Sequence, residues 1–93
     1  MAGQLIIDDG AVNALQSGKS LLPAGIVRVE GTFDRGDTVR IITIEGDIIG
    51  YGLIAYCSKD TVKLLGHRSH EIEQLLGYCG REEIIHRNDL VIN

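Results

Sequence analysis

The sequence predicts a single domain that is mainly β with short helices: about six short strands bent into a closed sheet, and two or three helices. Three observations predict this class. Short segments rich in β-branched residues alternate with turns that contain Gly and Asp. Glycines occur inside one of these segments, which indicates a bulge or a sharp bend. The helix-length segments begin at Asp or Ser and end at Gly.

The first predicted elements are a strand at residues 5–7 and a helix at residues 10–16. Asp8 or Asp9 can cap this helix by accepting hydrogen bonds from its free backbone N–H groups. Gly18 is placed to end it in the left-handed conformation. The chain therefore begins with a tight strand-to-helix unit.

The middle of the chain predicts three strands, at residues 26–30, 38–44 and 48–57. Turns at residues 35–37 and 45–47 separate them, and Gly50 and Gly52 indicate a bend in the third. The apolar residues of 38–44 fall on both faces, with Val39 and Ile41 on one face and Ile42 and Ile44 on the other. This strand is therefore expected to be covered on both sides.

Two short helices and two strands complete the predicted elements. Ser58 is expected to cap a helix at 59–65 that Gly66 ends, and Ser69 to cap a helix at 70–76 that Gly77 ends. Strands are predicted at residues 84–86 and 90–92.

Composition restricts the classes of function. Ninety-three residues are enough for one modest core, and a complete metabolic enzyme is not expected at this length. The net charge of −4 opposes non-specific attraction to nucleic acid, so any RNA contact needs a local basic patch. No apolar run approaches the length of a membrane span and residues 1–4 lack the regions of a signal peptide, so we expect no membrane association and a cytoplasmic location. Cys57 and Cys79 share no C-x-x-C spacing and are expected to be reduced, packed apolar residues.

Residues 18–26, with the sequence GKSLLPAGI, partly match a phosphate-binding P-loop. The match fails because Asn13 stands where the first Gly is needed and because the segment follows a predicted helix instead of a strand. Pro23 also opposes a helix directly after Ser20. This segment does not predict nucleotide binding.

The same segment takes part in a different pattern, which extends from about residue 3 to residue 92. The chain resembles the PUA domain, in the form found at the C-terminal end of bacterial glutamate 5-kinases. The matching motifs are DGA at 9–11, GKSLLPAGI at 18–26, VEG at 29–31, RGD at 35–37, LGY at 76–78 and HRNDLV at 86–91. Asn88 and Asp89 stand where the family usually has an acidic pair.

The resemblance implies a PUA-like pseudobarrel, with residues 1–93 forming one PUA domain excised from the end of a larger kinase. Such kinases phosphorylate the γ-carboxylate of glutamate with ATP in the first step of proline synthesis. The resemblance places ATP and Mg²⁺ in an absent N-terminal amino-acid-kinase domain, so this domain is expected to have no cofactor and no catalytic residue. Its expected partners are that kinase domain and, alternatively, RNA. The parent kinase is expected to be a homo-oligomer.

Five residues are candidates for binding RNA or another anion: Lys19, Ser20, Gly25, His86 and Arg87. In PUA domains the first helix, the loop after it and a C-terminal strand face RNA. Lys19 can contact phosphate, or it can be a solvated charge beside a helix C-terminus. His86 and Arg87 can form a basic surface, or they can hold the turn that follows. Gly25 and Pro23 are interpreted mainly as structural residues.

Other catalytic and metal-binding patterns are weak. His67 and His70 lie three positions apart without further ligands, so no metal site is predicted. No nucleophile elbow accompanies the Ser, His and Asp residues, and Glu71 and Glu73 point to different faces of a predicted helix. The leading hypothesis is a non-catalytic accessory or regulatory domain of a kinase. The alternatives are an RNA-binding module and a sensor of a small metabolite.

Overall fold

A computed structural model describes residues 1–78 and 80–93, and Cys79 lies outside the described residues. In this part of the chain five strands form one sheet, in the order β2-β1-β3-β4-β5. β1 is parallel to β3, and the other neighbouring strands are antiparallel. The strands are β1 Gly3–Ile7, β2 Ile26–Gly31, β3 Thr38–Thr43, β4 Ile48–Leu53 and β5 Leu90–Ile92.

Three short α-helices and three 3₁₀ turns connect the strands. The helices are α1 Asp9–Gln16, α2 Ser58–Leu64 and α3 Ile72–Leu76, and the 3₁₀ turns are Pro23–Gly25, Ser69–Glu71 and Arg87–Asp89. The prediction of a mainly β domain with short helices is confirmed. No helix among the residues placed by the structure has the length and apolarity needed to cross a membrane.

α1 ends at Gln16, where the sequence predicts, and begins at Asp9, one residue before the predicted start. The Asp8 side chain accepts a hydrogen bond of 2.8 Å from the Ala11 backbone N–H, which satisfies one of the free donors of the first turn. Gly18 follows the helix with φ of +82°, a conformation that favours glycine. Both signals are local, which is why the sequence was sufficient to identify them.

β4 and β5 approach closely because two glycines of β4 lie under β5. A Cβ atom on Gly50 would lie 2.2 Å from the Val91 carbonyl oxygen, and one on Gly52 would lie 2.8 Å from the Asp89 carbonyl oxygen. The register of β4 against β3 shifts next to Gly50, so the bulge predicted there is present.

The two faces of β3 are covered unequally. Val39 and Ile41 are fully buried, and Ile42 on the opposite face is 9% exposed. The expectation for Ile44 was wrong, because its side chain is 61% exposed. β3 ends at Thr43, whose backbone pairs with Asp47 and Gly46 across the hairpin turn, so Ile44 belongs to the turn.

Two predicted helix caps were wrong. α2 includes Ser58, and the Ser58 hydroxyl accepts a hydrogen bond of 3.3 Å from the Phe33 backbone N–H instead of capping the helix. Ser69 begins a 3₁₀ turn, and its hydroxyl donates to the Glu82 carbonyl at 3.1 Å. The Glu71 carboxylate closes this turn by accepting from the Arg68 N–H at 3.0 Å. Partners distant in sequence therefore replaced both local caps.

Residues 84–86 do not form the predicted strand. Only Ile85 makes a bridge, to Leu21 in the loop after α1. The Ile84 carbonyl instead accepts from the Ala55 N–H at 2.8 Å, so neighbouring residues of this segment pair with different parts of the chain. The structure therefore has five strands and one isolated bridge in its described residues.

One hydrophobic core joins the sheet to the helices. It combines buried residues of β1 and β3 with one side chain from each α-helix, Leu15, Leu64 and Ile72. Leu21 and Ile85 belong to the same core, which fixes the positions of the loop after α1 and of the segment before β5.

Candidate functional site

The loop after α1 presents Lys19 in a defined position. The Lys19 N–H donates to the Ala14 carbonyl at 3.0 Å, and the Gly18 N–H donates to the Leu15 carbonyl at 3.1 Å. This pair of hydrogen bonds is a Schellman motif. Lys19 is exposed and stands beside the helix C-terminus, where a positive charge is favourable.

Ser20 joins this loop to the 3₁₀ turn Arg87–Asp89. Its hydroxyl oxygen accepts a hydrogen bond of 2.8 Å from the Arg87 backbone N–H. Next to it, the Leu21 N–H donates to the Ile85 carbonyl at 2.9 Å, and the Ile84 N–H donates back to Leu21 at 2.8 Å. The structure therefore brings Ser20 and Arg87 together, although they are 67 residues apart in the sequence.

His86 contacts the same turn. Its Nδ1 accepts a hydrogen bond of 3.1 Å from the Asn88 N–H, so in the neutral ring the proton resides on Nε2. The side chain caps the 3₁₀ turn that carries Arg87. His86 thus helps to position Arg87.

Gly25 lies against α1. Its carbonyl accepts from the Asp8 N–H at 3.0 Å, and a Cβ atom at this position would lie 2.5 Å from the Cβ of Ala11. Gly25 therefore permits a close approach between the loop and the start of the helix.

Two grooves lie on either side of Lys19, each with a volume of about 450 Å³. We call the first the helix groove and the second the terminal groove. The helix groove is lined by residues that include Gly10, Ala11, Ala14, Ser20, Gly25 and Glu83. The terminal groove is lined by residues that include Gly18, Arg87, Leu90, Ile92 and Asn93. Lys19 lines both grooves, and His86 lines neither.

The two grooves differ in charge. Lys19 and Arg87 both line the terminal groove, and among the described residues no Asp or Glu side chain lines it. The helix groove contains Glu83 and the capping carboxylate of Asp8 in addition to Lys19. Among residues 1–78 and 80–93, neither Lys19 nor Arg87 forms an ion pair. The terminal groove is therefore the more favourable place for an anion.

The histidine pair at positions 67 and 70 has a local role. His67 Nδ1 lies 3.1 Å from Glu71 Oε2, while His70 is exposed. The pKa of Glu71 is lowered, first by the Arg68 backbone N–H and then by His67. The part of the chain that the structure describes contains no group of three or more His, Cys, Asp or Glu side chains able to hold a metal ion.

Sequence reasoning missed the flat face of α1 that forms one wall of the helix groove. Gly10, Ala11 and Ala14 lie at positions i, i+1 and i+4 of the helix and line the groove together. Small residues at helical spacing were the available signal, because residues four apart share one helix face. No local sequence pattern indicates that Glu83 lines this groove, since its position depends on the bridge between Ile85 and Leu21 in the loop after α1.

Comparisons with known proteins agree on one family. The PUA domain family matches residues 3–76 of the chain. A glutamate 5-kinase of Brucella anthropi is 54% identical over 91 residues, and one of Brucella ovis is 56% identical over the same length. These matches cover 98% of the chain and 24% of each relative. The chain thus spans about a quarter of the length of the curated relatives it matches.

Solved structures share the fold. A PUA domain protein of Aeropyrum pernix, crystallised as a tartrate complex, has a TM-score of 0.68 at 23% identity and covers 92% of this chain and 42% of its own. A complex from an archaeal box H/ACA ribonucleoprotein has a TM-score of 0.65 at 20% identity, with coverages of 99% and 23%. An H/ACA ribonucleoprotein bound to a substrate RNA has a TM-score of 0.63 at 21% identity, with coverages of 91% and 22%. At these identities the likeness shows the fold alone.

Proposed function

The chain belongs to the PUA domain family, and from this premise we propose that it serves as a non-catalytic accessory domain of a glutamate 5-kinase. The observation that carries the proposal is the identity of 54–56% to two such kinases over 98% of the chain. The domain supports the stability, the subunit arrangement or the regulation of a kinase domain in the same polypeptide.

The kinase reaction belongs to the remainder of the polypeptide in this proposal. There ATP phosphorylates the γ-carboxylate of glutamate with the help of Mg²⁺, as the first step of proline synthesis, and the PUA domain needs no cofactor. The parent protein is a homo-oligomer in the cytoplasm, where its substrates are found. The engagement of Ser20 and His86 in holding backbone N–H groups supports a structural use of these side chains.

The test is glutamate-dependent consumption of ATP, measured for the full-length polypeptide and for the purified 93 residues. We expect turnover by the full-length protein and none by the 93 residues. A polypeptide that lacks only this domain should still consume ATP in the presence of glutamate. Its stability, oligomeric state or response to inhibitors should differ from that of the full-length protein. Turnover by the 93 residues alone, or a full-length protein without glutamate kinase activity, contradicts the proposal.

A second candidate function is RNA binding, which the charge of the terminal groove favours. Lys19 and Arg87 line this groove, and their positive charges can contact phosphate oxygens. The net charge of −4 weighs against the idea, because it weakens non-specific attraction to RNA.

A salt titration of RNA affinity tests this candidate. If the groove binds RNA, the affinity falls as salt rises, and Lys19→Glu weakens it strongly. Lys59→Glu is a matched control, because Lys59 is also exposed but lies on α2. Absence of binding at low salt, or equal losses in the two variants, rejects RNA binding at this groove.

A further inference from the structure

The sheet carries apolar side chains on the face that points away from the core. Ile6 of β1 and Ile42 of β3 are register partners, and they are 6% and 9% exposed. Neither belongs to the hydrophobic core, whose contributions from these strands are Leu5, Ile7 and Ile41 among others. Side chains alternate between the two faces of a strand, so Ile6 and Ile42 lie on the outer face.

This outer apolar surface continues across β4 and β5. Tyr51 pairs with Val91, and Ile48 pairs with Ile42, so their side chains lie on the same face. We call the six residues of this surface the apolar band. Ile6 and Ile42 are its buried members, and Ile48 (51% exposed), Tyr51 (37%), Leu53 (46%) and Val91 (50%) are its exposed members.

The other half of the outer face is polar. On β2, Arg28 forms an ion pair of 2.9 Å with Glu30, and Gln4 of β1 donates a hydrogen bond to Glu30. The exposed apolar side chains of this surface therefore lie on β4 and β5, since Ile6 of β1 and Ile42 of β3 are buried. Exposed apolar residues grouped on neighbouring strands and bordered by polar residues are typical of a protein contact surface.

One positive charge lies at the border between the apolar band and the polar half of the face. Arg40 of β3 is the register partner of Tyr51 on one side and of Gln4 on the other. It lines a groove together with Glu30 but forms no ion pair with any residue placed by the structure. A partner that covers the band would desolvate this guanidinium, and a carboxylate on the partner would compensate the loss. The complementary surface is therefore apolar with an acidic residue near its edge.

We propose that the apolar band docks onto the kinase region of the same polypeptide. The proposal rests on the proposed function and adds to it the surface through which the domain acts. The match covers 24% of the length of each kinase relative, so about three quarters of each of those polypeptides lies outside it. A covalently linked partner is present at high effective concentration, which favours a modest contact within one chain.

Docking through the band leaves both grooves open. None of its six residues lines the helix groove or the terminal groove. The contact with the kinase region and a ligand in the terminal groove are therefore compatible.

Cysteine labelling of the full-length polypeptide tests the proposal with a matched pair of positions. Val91→Cys lies in the band on edge strand β5, and Val27→Cys lies on edge strand β2. The two valines are 50% and 49% exposed in the domain, so they should react equally if nothing covers either. Modification of each by a maleimide is followed over time by mass spectrometry of the peptides that contain them.

If the band is covered, Val91→Cys reacts at least about tenfold more slowly than Val27→Cys, and adding Tyr51→Glu removes the difference. Equal labelling in a full-length protein that phosphorylates glutamate overturns the docking proposal and leaves the proposed function standing. Lack of glutamate kinase activity defeats the proposed function instead. Protection that disappears on dilution together with the oligomer shows that the band covers a second copy, which also overturns the proposal.

Discussion

Gly25 shows how a single missing side chain fixes the position of the candidate site. Its α-carbon lies so close to α1 that a methyl group there would overlap the Cβ of Ala11 at 2.5 Å. Gly10 lies on α1 itself, and a methyl group added there would meet only the Asp8 carboxylate, at 3.5 Å. The two glycines are therefore under different constraints although they line the same groove.

We expect Gly25→Ala to destabilise the domain by about 1–3 kcal/mol, because the loop must move away from the helix. Gly10→Ala should be neutral or stabilising by about 0.5–1 kcal/mol, because alanine favours the helix. Urea denaturation measures both changes. Adding Ala11→Gly to Gly25→Ala should recover part of the loss. A Gly25→Ala variant as stable as the Gly10→Ala variant would contradict the close contact.

Tyr78 provides a prediction about high pH. Its O–H donates to Asp60 Oδ2 at 2.7 Å, and partial burial together with this carboxylate raises the pKa of Tyr78 to about 12. The folded state thus favours the neutral phenol. The resulting stabilisation is fully present below the ordinary pKa of 10.0 and is lost as the pH rises towards about 12.

Ultraviolet absorbance of phenolate should therefore show a late titration that Tyr78→Phe removes. The chain has three tyrosines and no tryptophan, so the difference between the unaltered domain and Tyr78→Phe assigns the step to Tyr78. Asp60→Asn should lower the pKa of Tyr78 but leave it above its ordinary value, because burial is the larger cause. If Tyr78→Phe removed absorbance from the step near the ordinary pKa of 10.0 and left the late step unchanged, Tyr78 would ionise as a free phenol, which contradicts the prediction.

At the scale of elements, one hydroxyl connects the α1–β2 loop to the 3₁₀ turn Arg87–Asp89. Ser20→Ala removes the acceptor of the Arg87 N–H, and we expect a loss of about 0.5–1.5 kcal/mol in the free energy of unfolding. Hydrogen exchange of the Arg87 amide should become faster. The backbone bonds between Leu21 and Ile85 remain, so the core should stay protected.

Ser17→Ala is the control for this prediction. Ser17 is the exposed residue at the C-cap of α1, and its backbone N–H makes the bonds that end the helix. We expect its substitution to leave exchange at Arg87 unchanged. Equal exchange at Arg87 in the Ser20→Ala variant and the unaltered domain would mean that the hydroxyl does not hold the turn.

The elements that the sequence predicted correctly are those governed by nearby residues. Asp8 caps α1 and Gly18 ends it, and each acts within a few positions of its own place in the chain. Ser58 and Ser69 have the residue type of a cap, but their hydroxyls bond Phe33 and Glu82. Tertiary partners of this kind compete with local capping and are invisible to a local pattern.

At the scale of the whole molecule, pairing between distant segments determines both the sheet order and the candidate site. The sequence predicted most strands. It did not indicate that β1 lies between β2 and β3 in the sheet, or that β1 runs parallel to β3. It also did not place Ser20 against Arg87, which depends on the bridge between Leu21 and Ile85. The family resemblance supplied the fold, because its motifs combine such distant segments in one pattern.

The strand directions also determine how the domain responds to mechanical load. β1 is parallel to β3, and β5 is antiparallel to β4, so β1 and β5 run in the same direction. A pulling force applied at the start of β1 and the end of β5 therefore acts along the strands and shears several ladder hydrogen bonds at once. β5 has three register pairs with β4, whereas β1 has five with β3, so β5 yields first. Under tension the domain would release β5 while its central strands stay paired.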